Sequence, residues 1–236
     1  LNGVDVEGER VLVRTDLNLP VDDGVVERSL RFDRYVETVR DLSERGAKVF
    51  VLAHQGRPSR SDFLSLRQYR EFLSDSLGFD VSFIECFFGQ EVESEVEGLE
   101  SGGVALMENI RFLSEELKVL PPEKHAESIF VQRLSSLFDL FVFDGFSVAH
   151  RSHGSVVGFT EVMDSFAGPV MMHELENCSK VRDEFDDGVL VLGGEKPADI
   201  IDILHELVES VDKVLLGGVP GELALMAEGF DLGGKE

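Results

Sequence analysis

Short apolar segments alternate along the chain with segments whose apolar residues recur every three or four positions. The first kind, rich in β-branched residues, predicts buried strands, and the second predicts amphipathic helices. The predicted strands span residues 11–14, 48–53, 81–84, 104–107, 140–144, 189–192 and 213–216. The predicted helices span residues 30–45, 65–77, 121–137, 169–185, 199–210 and 220–227. This alternation is typical of an α/β fold in which helices cover both faces of a parallel sheet.

One long interruption of the pattern divides the chain. A loop is predicted over residues 145–158, and the strand–helix alternation starts again only at residue 189. We therefore predict an N-terminal domain over residues 1–168, a connecting helix or hinge over 169–186, and a second domain over 187–236. Two strand–helix units rarely bury enough surface to be stable alone, so we expect the second domain to be incomplete.

Composition excludes several classes of protein. A chain of 236 residues with 43% hydrophobic residues can bury a core, which excludes wholesale disorder. The net charge of −24 excludes a general nucleic-acid-binding protein, because phosphate contacts need surplus cations. No apolar run approaches the roughly 18 residues that a membrane helix needs. Cys86 and Cys178 are too few for a disulfide framework, and no histidine cluster lies near them to form a metal site. We therefore predict a reduced, cytoplasmic protein.

The negative charge is spread along the chain, and lysine is scarce among the cations. This pattern favours a cytosol rich in salt, in which counterions screen the repulsion between acidic side chains. The alternative is an acidic protein of an ordinary cell.

Polar and cationic residues follow four of the predicted strands. Because the carboxyl ends of parallel strands lie at one edge of a sheet, we expect these residues to lie together. Guanidinium groups bind carboxylates and phosphates in bidentate pairs, which predicts a pocket for a small, multiply charged anion. The alternative is that the arginines form surface salt bridges with the abundant acidic residues. The strand ends hold Arg14, Asp16 and Asn18; His54, Gln55, Gly56 and Arg57; Glu108, Asn109 and Arg111; and His150, Arg151 and His153.

A second candidate site follows the predicted strand 189–192. Gly193 and Gly194 would let the backbone approach a phosphate, the next helix would offer free N–H groups, and Lys196 would supply a positive charge. The segment is neither a Walker A loop nor a G-x-G-x-x-G motif. An ordinary strand-to-helix turn with a surface lysine fits the same residues.

Five motifs, in the same order, resemble those of the phosphoglycerate kinase family. They are R-T-D-L-N-L-P from Arg14, H-Q-G-R-P from His54, E-N-I-R-F from Glu108, D-G-F-S-V-A-H-R-S-H from Asp144 and G-G-E-K from Gly193. The acidic composition resembles that of family members from salt-loving archaea. The resemblance implies a Rossmann-like N-terminal domain that binds phosphoglycerate, a hinge that closes, and a Rossmann-like C-terminal domain that binds a nucleotide.

The resemblance also implies the reaction and the residues that perform it. The reaction would be reversible phosphoryl transfer between 1,3-bisphosphoglycerate and ADP, which gives 3-phosphoglycerate and ATP. The implied phosphoglycerate ligands are Asp16, Asn18, Arg31, His54, Gln55, Gly56, Arg57, Arg111 and Arg151. The implied ligands of ATP or ADP with Mg²⁺ are Gly193, Gly194, Lys196 and Gly218. Arg31 and Lys196 are the implied catalytic residues, which stabilise the transferring phosphoryl group.

Several residues have a structural alternative to ligand binding. Arg14 lies within its strand, which predicts a buried ion-pair partner. We expect His153 to hydrogen-bond within its loop, and Glu108 to orient Arg111 or a neighbour.

The sequence also departs from the family pattern. Ile200 replaces a lysine, Glu195 replaces a small residue, and the segment from Gly217 reads G-G-V-P-G where the family has three adjacent glycines. No segment before residue 236 resembles the later nucleotide-binding segments of the family, so we expect these residues alone to be nearly inactive. The alternative function is a non-catalytic phosphoglycerate-binding module without a working nucleotide site. We expect a monomer that binds neither nucleic acid nor membranes.

Overall fold

The computed structural model describes residues 1, 3–183 and 188–234. It divides into two compact units, Leu1–Glu174 and Leu175–Glu236. The sequence places the whole helix from residue 169 outside the first domain, whereas the structure assigns its first turns to the first unit. A hydrogen bond explains this assignment, because the Met171 N–H donates to Asp144 Oδ1 at 2.9 Å.

The predicted strands and helices occur in the predicted order, with additional short elements between them. The strands of the first unit are β1 (Arg10–Arg14), β2 (Val21–Asp22), β3 (Val25–Val26), β4 (Lys48–Leu52), β5 (Ser82–Ile84), β6 (Val104–Met107), β7 (Leu140–Phe143) and β8 (Ser165–Ala167). Its helices are α1 (Leu30–Glu44), α2 (Arg67–Leu77), α3 (Gln90–Gly98), α4 (Pro122–Ala126) and α5 (Ile129–Ser135). Helix α6 (Pro169–Asp183) begins in the first unit. The second unit continues with β9 (Val189–Leu192), α7 (Pro197–Leu207), β10 (Lys213–Leu216) and α8 (Gly218–Ala227).

Six strands of the first unit form one parallel sheet in the order β5-β6-β4-β1-β7-β8. Alternate residues of a strand face opposite sides of a sheet. Accordingly, Val11 and Val13 of β1 are buried in one apolar cluster with residues of α1 and α2. Leu12, between them, is buried in a second cluster with residues of α3 and α5. The predicted parallel sheet with helices on both faces is confirmed.

The short connections differ most from the prediction. The helix predicted over 121–137 is two helices, α4 and α5, because Ser128 interrupts it. The Ser128 hydroxyl donates to the His125 carbonyl oxygen at 2.6 Å and caps α5 by accepting the Val131 N–H at 3.3 Å. The antiparallel pair β2–β3, helix α3 and strand β8 are absent from the sequence prediction. The loop predicted over 145–158 contains a 3₁₀ turn at Phe146–Val148 and a π turn at Gly154–Gly158.

In the second unit, β9 and β10 pair in parallel, with Leu190 opposite Val214. Helix α7 begins at residue 197, two positions before the predicted start, with Pro197 in its first turn. The last two residues of the helix predicted over 169–185 lie outside the described residues. None of the helices in the described part of the chain has the length and apolar character needed to cross a membrane.

Candidate functional site

The carboxyl ends of four neighbouring strands, β6, β4, β1 and β7, surround a cavity of about 520 Å³. Among the described residues, five arginines and two aspartates line it, a surplus of three positive charges in a chain of net charge −24. The charge of the cavity is therefore opposite to that of the molecule. Its lining is Asp16, Asn18, Arg31, His54, Gly56, Arg57, Arg60, Ser61, Asp62, Arg111, Ser147, Val148 and Arg151.

The structure brings most of the residues predicted for the first domain to this cavity. Arg31, His54, Arg57, Arg111 and Arg151 all line it, although they come from four separate segments of the chain. The three smaller predicted ligands, Asp16, Asn18 and Gly56, line it too. These five residues are therefore gathered at one cavity and are not scattered over separate faces, and Arg31 alone among them pairs with an acidic residue in the part of the chain described, Asp16, by an arginine–carboxylate contact.

Asp16 follows β1 and orients the guanidinium of Arg31. Its carboxylate is buried, accepts the Arg31 Nη1–H at 3.2 Å and also accepts the Ser147 hydroxyl. The Asn18 N–H donates to the other carboxylate oxygen at 3.3 Å. Half of the Arg31 side chain remains exposed, so Asp16 fixes one side of Arg31 and leaves the other side accessible from the cavity.

Gly56 lets the loop after β4 fold back on itself. Its φ of +64° lies in the left-handed region, and a Cβ here would overlap the Asp62 carbonyl oxygen. The Gly56 N–H donates to Asn18 Oδ1 at 2.8 Å, and its carbonyl accepts from Arg111. The folded loop brings three residues to the cavity that the sequence analysis did not identify: Arg60, Ser61 and Asp62.

Gln55 does not line the cavity, in contrast to its predicted role as a ligand. It is fully buried, and its side chain is occupied by other parts of the protein. Oε1 accepts the Leu19 N–H at 3.1 Å and the Tyr69 hydroxyl, and Nε2 donates to the Leu19 carbonyl at 3.2 Å. Gln55 therefore anchors the segment after β1 to helix α2 and supports the cavity from behind.

Glu108 does not orient Arg111 but binds the start of α2. Its carboxylate accepts the Ser65 hydroxyl at 2.6 Å and the Leu66 N–H at 2.9 Å. Asn109 is the neighbour that supports Arg111, because its Oδ1 accepts the Arg111 N–H at 3.1 Å. Glu108 also accepts the Asn109 N–H at 2.5 Å, so it orients the neighbour of Arg111, which is one of the two roles expected of it. The same carboxylate binds the free N–H groups of a helix start.

Arg14 is buried behind the cavity. Its Nε donates to Ser155 Oγ at 2.9 Å, and its Nη2 lies 3.0 Å from His54 Nδ1. Burial lowers the pKa of Arg14, and the negative charge of Glu116 opposes that shift. The link to Glu116 runs through Ser155, so Arg14 is the buried partner that its strand position predicts, and the pairing is indirect. His153 is also buried, with Nδ1 3.7 Å from Glu116 Oε1.

The cavity concentrates positive charge that the protein itself does not neutralise. Arg111 is 5% exposed, and burial together with the charges of Arg14 and Arg151 lowers its pKa to about 10. The Nε atoms of Arg111 and Arg151 are buried without a hydrogen-bond partner among the described residues. Buried donors of this kind are usually satisfied, so the cavity favours an anion that accepts from them. Burial and the surrounding cations also lower the pKa of His54 well below 6.5, which keeps its ring neutral near pH 7.

In the second unit, the turns after β9 and β10 lie side by side. The Gly217 N–H donates to the Leu192 carbonyl at 2.8 Å, and the Val219 N–H donates to the Gly194 carbonyl at 3.2 Å. Gly218 has a φ of +61°, and a Cβ there would lie 3.1 Å from the Gly194 oxygen. Three of the predicted nucleotide ligands, Gly193, Gly194 and Gly218, therefore lie together.

Lys196, the fourth predicted nucleotide ligand, is exposed and immediately precedes α7. A helix start with a lysine and open glycine backbone favours phosphate. No group of three histidine, cysteine or acidic side chains within the described ranges could hold a metal ion by itself.

An α/β unit with a cation-lined cavity at its strand ends, joined to a unit with glycine turns at a helix start, is typical of proteins that bind phosphorylated ligands. The chain belongs to the phosphoglycerate kinase family, because the model described as "Phosphoglycerate kinase" matches residues 1–236. Phosphoglycerate kinases from Haloarcula marismortui and Methanopyrus kandleri are 48% and 42% identical over 96% and 99% of this chain. These alignments cover 57% and 58% of the two relatives.

A solved structure supports the same assignment. The crystal structure of phosphoglycerate kinase from Pyrococcus horikoshii is 36% identical, with a TM-score of 0.93 over 99% of this chain and 58% of that one. The phosphoglycerate kinase structure from Coxiella burnetii is 29% identical, with a TM-score of 0.81 and the same coverage. The chain thus spans a little under three-fifths of the length of these relatives.

Proposed function

We propose that the protein acts as a phosphoglycerate kinase, which transfers a phosphoryl group reversibly between 1,3-bisphosphoglycerate and ADP. The observation that carries the proposal is the cavity at the strand ends, with its surplus of three positive charges. The product 3-phosphoglycerate carries nearly three negative charges near pH 7, from one carboxylate and one phosphate, and so matches the charge of the cavity. Membership of the family adds support, since the relatives are named phosphoglycerate kinases.

We propose separate roles for the residues of the cavity. Arg57, Arg111 and Arg151 bind the phosphate and carboxylate of phosphoglycerate, because guanidinium groups match both planar and tetrahedral anions. His54 and Asn18 hold the ligand's position, and the Gly56 backbone, which is bonded to Asn18 and Arg111, keeps those two side chains in place. Arg31, oriented by Asp16, stabilises the charge on the transferring phosphoryl group. Phosphoryl transfer depends mainly on position and charge, so these residues need no covalent step.

The second unit would bind ATP or ADP. Gly193, Gly194 and Gly218 carry no side chain that would keep nucleotide phosphates from the backbone, and Lys196 supplies a positive charge to them. Mg²⁺ would be held by the nucleotide phosphates and would offset part of their charge, since such ions are often held largely by substrate phosphates. Glu195, beside Lys196, is exposed, so its carboxylate can turn into solvent and away from the nucleotide phosphates.

The experiment is a coupled assay of the gene product with 1,3-bisphosphoglycerate and ADP in KCl. We expect turnover in the wild type and a loss of kcat of roughly a hundredfold or more in Lys196→Ala. Lys213→Ala is the matched control, because Lys213 begins β10 at the end of the strand opposite the glycine turn. Binding of 3-phosphoglycerate without any turnover would contradict the proposal.

We also propose that the protein works in the cytoplasm as a monomer. Both cysteines, Cys86 and Cys178, are free, which fits a reducing compartment. Sedimentation velocity tests whether the protein is a monomer, because a monomer of these 236 residues has a mass of 26.2 kDa.

A further inference from the structure

A chain of buried side chains lies behind the cavity and ends at the ring of His54. Glu116 accepts both the backbone N–H and the hydroxyl of Ser155, each at 2.7 Å. Ser155 Oγ in turn accepts Arg14 Nε–H at 2.9 Å, and Arg14 Nη2 lies 3.0 Å from His54 Nδ1. None of these four residues is more than 3% exposed. We call Glu116, Ser155 and Arg14 the buried relay.

The donors and acceptors of the relay fix where the proton of His54 lies. A guanidinium group has only donors, so Arg14 can approach His54 Nδ1 at 3.0 Å only if that nitrogen accepts. Asp16 Oδ1, which would favour a proton on the same nitrogen, is 3.8 Å away and beyond hydrogen-bond distance. A neutral His54 therefore carries its proton on Nε2.

The ring is neutral because of its surroundings. Burial lowers the pKa of His54 most, and Arg14, Arg111, Arg151 and His153 lower it further. Asp16 at 3.8 Å is the acidic group that faces the ring. His54 lines the cavity, and no described residue forms a hydrogen bond with its Nε2. The Nε2–H group is therefore available to a bound anion.

We propose that Glu116 and Ser155 are positioning residues, which hold Arg14 against His54 Nδ1 and so fix His54 as the Nε2–H tautomer. The cavity then presents an N–H donor, and not a lone pair, to its anion. Because the tautomer is fixed before binding, no reorganisation is needed when the anion arrives. The tautomer follows from the buried contacts alone, and only the naming of phosphoglycerate as the anion rests on the proposed function.

The test is a two-bond proton–nitrogen NMR correlation of the 236-residue chain with ¹⁵N-labelled histidine, in KCl at pH 7.5. His54→Gln identifies the His54 signals by their loss. We expect the nitrogen shift of a protonated Nε2 and an unprotonated Nδ1. A protonated Nδ1, or an even mixture of the two tautomers, overturns the proposal without the need for any further variant.

Variants test the role of the relay itself. In Ser155→Ala, Arg14 Nε loses its acceptor, and besides its contact with His54, Arg14 keeps among the described residues only the hydrogen bond from Nη1 to the Thr15 carbonyl. We expect a measurable share of Nδ1–H, since the Asp16 carboxylate is near enough to attract that proton after a small shift. Ser152→Ala is the matched control: its hydroxyl lies in the same loop but donates to the Leu120 carbonyl. If Ser155→Ala does not fold, Glu116→Gln replaces it, because it keeps the shape and loses one acceptor. A folded variant that keeps the wild-type tautomer overturns the role of the relay.

A ligand titration separates this inference from the proposed function. We expect Ser155→Ala to bind 3-phosphoglycerate about two- to fivefold more weakly, in proportion to the fraction of the wrong tautomer, and Ser152→Ala to bind it normally. The predicted tautomer without binding of 3-phosphoglycerate would refute the proposed function and leave the relay intact. Normal binding with a protonated Nδ1 would refute the relay and leave the proposed function intact.

Discussion

At the level of single residues, the cavity is defined by guanidinium donors that the protein leaves without an acceptor. The Nε atoms of Arg111 and Arg151 are buried and unpaired among the described residues, and burial lowers the pKa of Arg111 to about 10. An ordinary surface arginine in so acidic a chain would find a carboxylate. These arginines are instead kept apart from the acids, which favours the binding of an anion from outside.

Arg60 is expected to contribute to the binding of an anion. It lines the cavity, and no hydrogen bond or ion pair occupies its side chain within the described part of the chain. We expect Arg60→Ala to weaken binding of 3-phosphoglycerate about two- to fivefold, as for one exposed ion pair. Arg133→Ala, which removes the same charge from an exposed position of α5, is the control and should bind normally. Calorimetry measures both, and equal affinities would exclude Arg60 from the site.

His54 gives a prediction for the pH dependence of stability. Its pKa in the folded protein lies well below 6.5, so below pH 6.5 the unfolded chain binds a proton that the folded protein refuses. The free energy of unfolding should therefore fall with pH below 6.5, by up to about 1.4 kcal/mol per unit from this group. Urea unfolding at pH 7 and pH 5 measures the fall. His54→Gln should reduce it, and exposed His150→Gln should not; an equal fall in both variants would contradict the assignment.

The residues of the site could be predicted from the sequence, but the division of labour among them could not. His54, Arg57 and Arg111 each follow a strand, which predicts that they lie at the same edge of the sheet. Gln55, which the family resemblance implies as a ligand, lies behind the cavity, and Glu108 binds the start of α2 as well as its neighbour Asn109. Consecutive residues at a strand end turn to different sides, so position alone does not separate these roles. Arg60 was missed because it reaches the cavity only through the fold of the loop after Gly56, and the nearest signal was its spacing from Arg57.

At the level of elements, the start of helix α6 is fixed by a buried carboxylate. Asp144, at the end of β7, accepts the Met171 N–H at 2.9 Å and the Thr38 hydroxyl at 2.6 Å. Burial raises its pKa, and these hydrogen bonds oppose that shift. One acidic side chain thus joins a strand, α1 and the first turn of α6.

Gly168 is expected to tolerate no larger side chain. A Cβ at Gly168 would overlap the Asp144 carboxyl group, so Gly168→Ala must displace either the carboxylate or the start of α6. We expect a loss of stability of about 1–3 kcal/mol, as for other overpacked sites. Gly98→Ala is the matched control, because nothing lies within 4 Å of its Cβ and alanine is favoured in a helix. Thermal unfolding compares them, and an unchanged midpoint in Gly168→Ala would contradict the close contact.

Long elements could be predicted from the sequence more reliably than short ones. Helix α1 buries Phe32, Tyr35, Val36, Val39 and Leu42, a stripe long enough to specify a helix. Helix α3 buries only Val92 and Val96, and β8 has three residues, so neither carries a recognisable period. The break between α4 and α5 depends on the hydrogen bonds of the Ser128 side chain, which a hydrophobic pattern does not report.

At the level of the whole molecule, the net charge of −24 opposes the compact state through repulsion among acidic side chains. Salt screens this repulsion, since the Debye length falls from about 10 Å at 0.1 M to about 3 Å at 1 M.

We therefore expect stability to depend on salt. Transfer from 2 M to 0.1 M KCl should lower the unfolding midpoint by roughly 10 °C, which corresponds to several kcal/mol for a chain of this size. Thermal unfolding followed by circular dichroism at graded KCl measures the change. Full stability in dilute buffer would favour the alternative of an acidic protein adapted to an ordinary cell.

The most direct measurement is a calorimetric titration of the 236-residue chain with 3-phosphoglycerate. We expect one molecule to bind, and Arg151→Ala to bind at least about tenfold more weakly, as for the loss of one charged hydrogen bond. Arg133→Ala, with the same net charge, should bind as the wild type does. Absence of binding in the wild type, or equal affinity in Arg151→Ala, would contradict the claim that this cavity is the phosphoglycerate site.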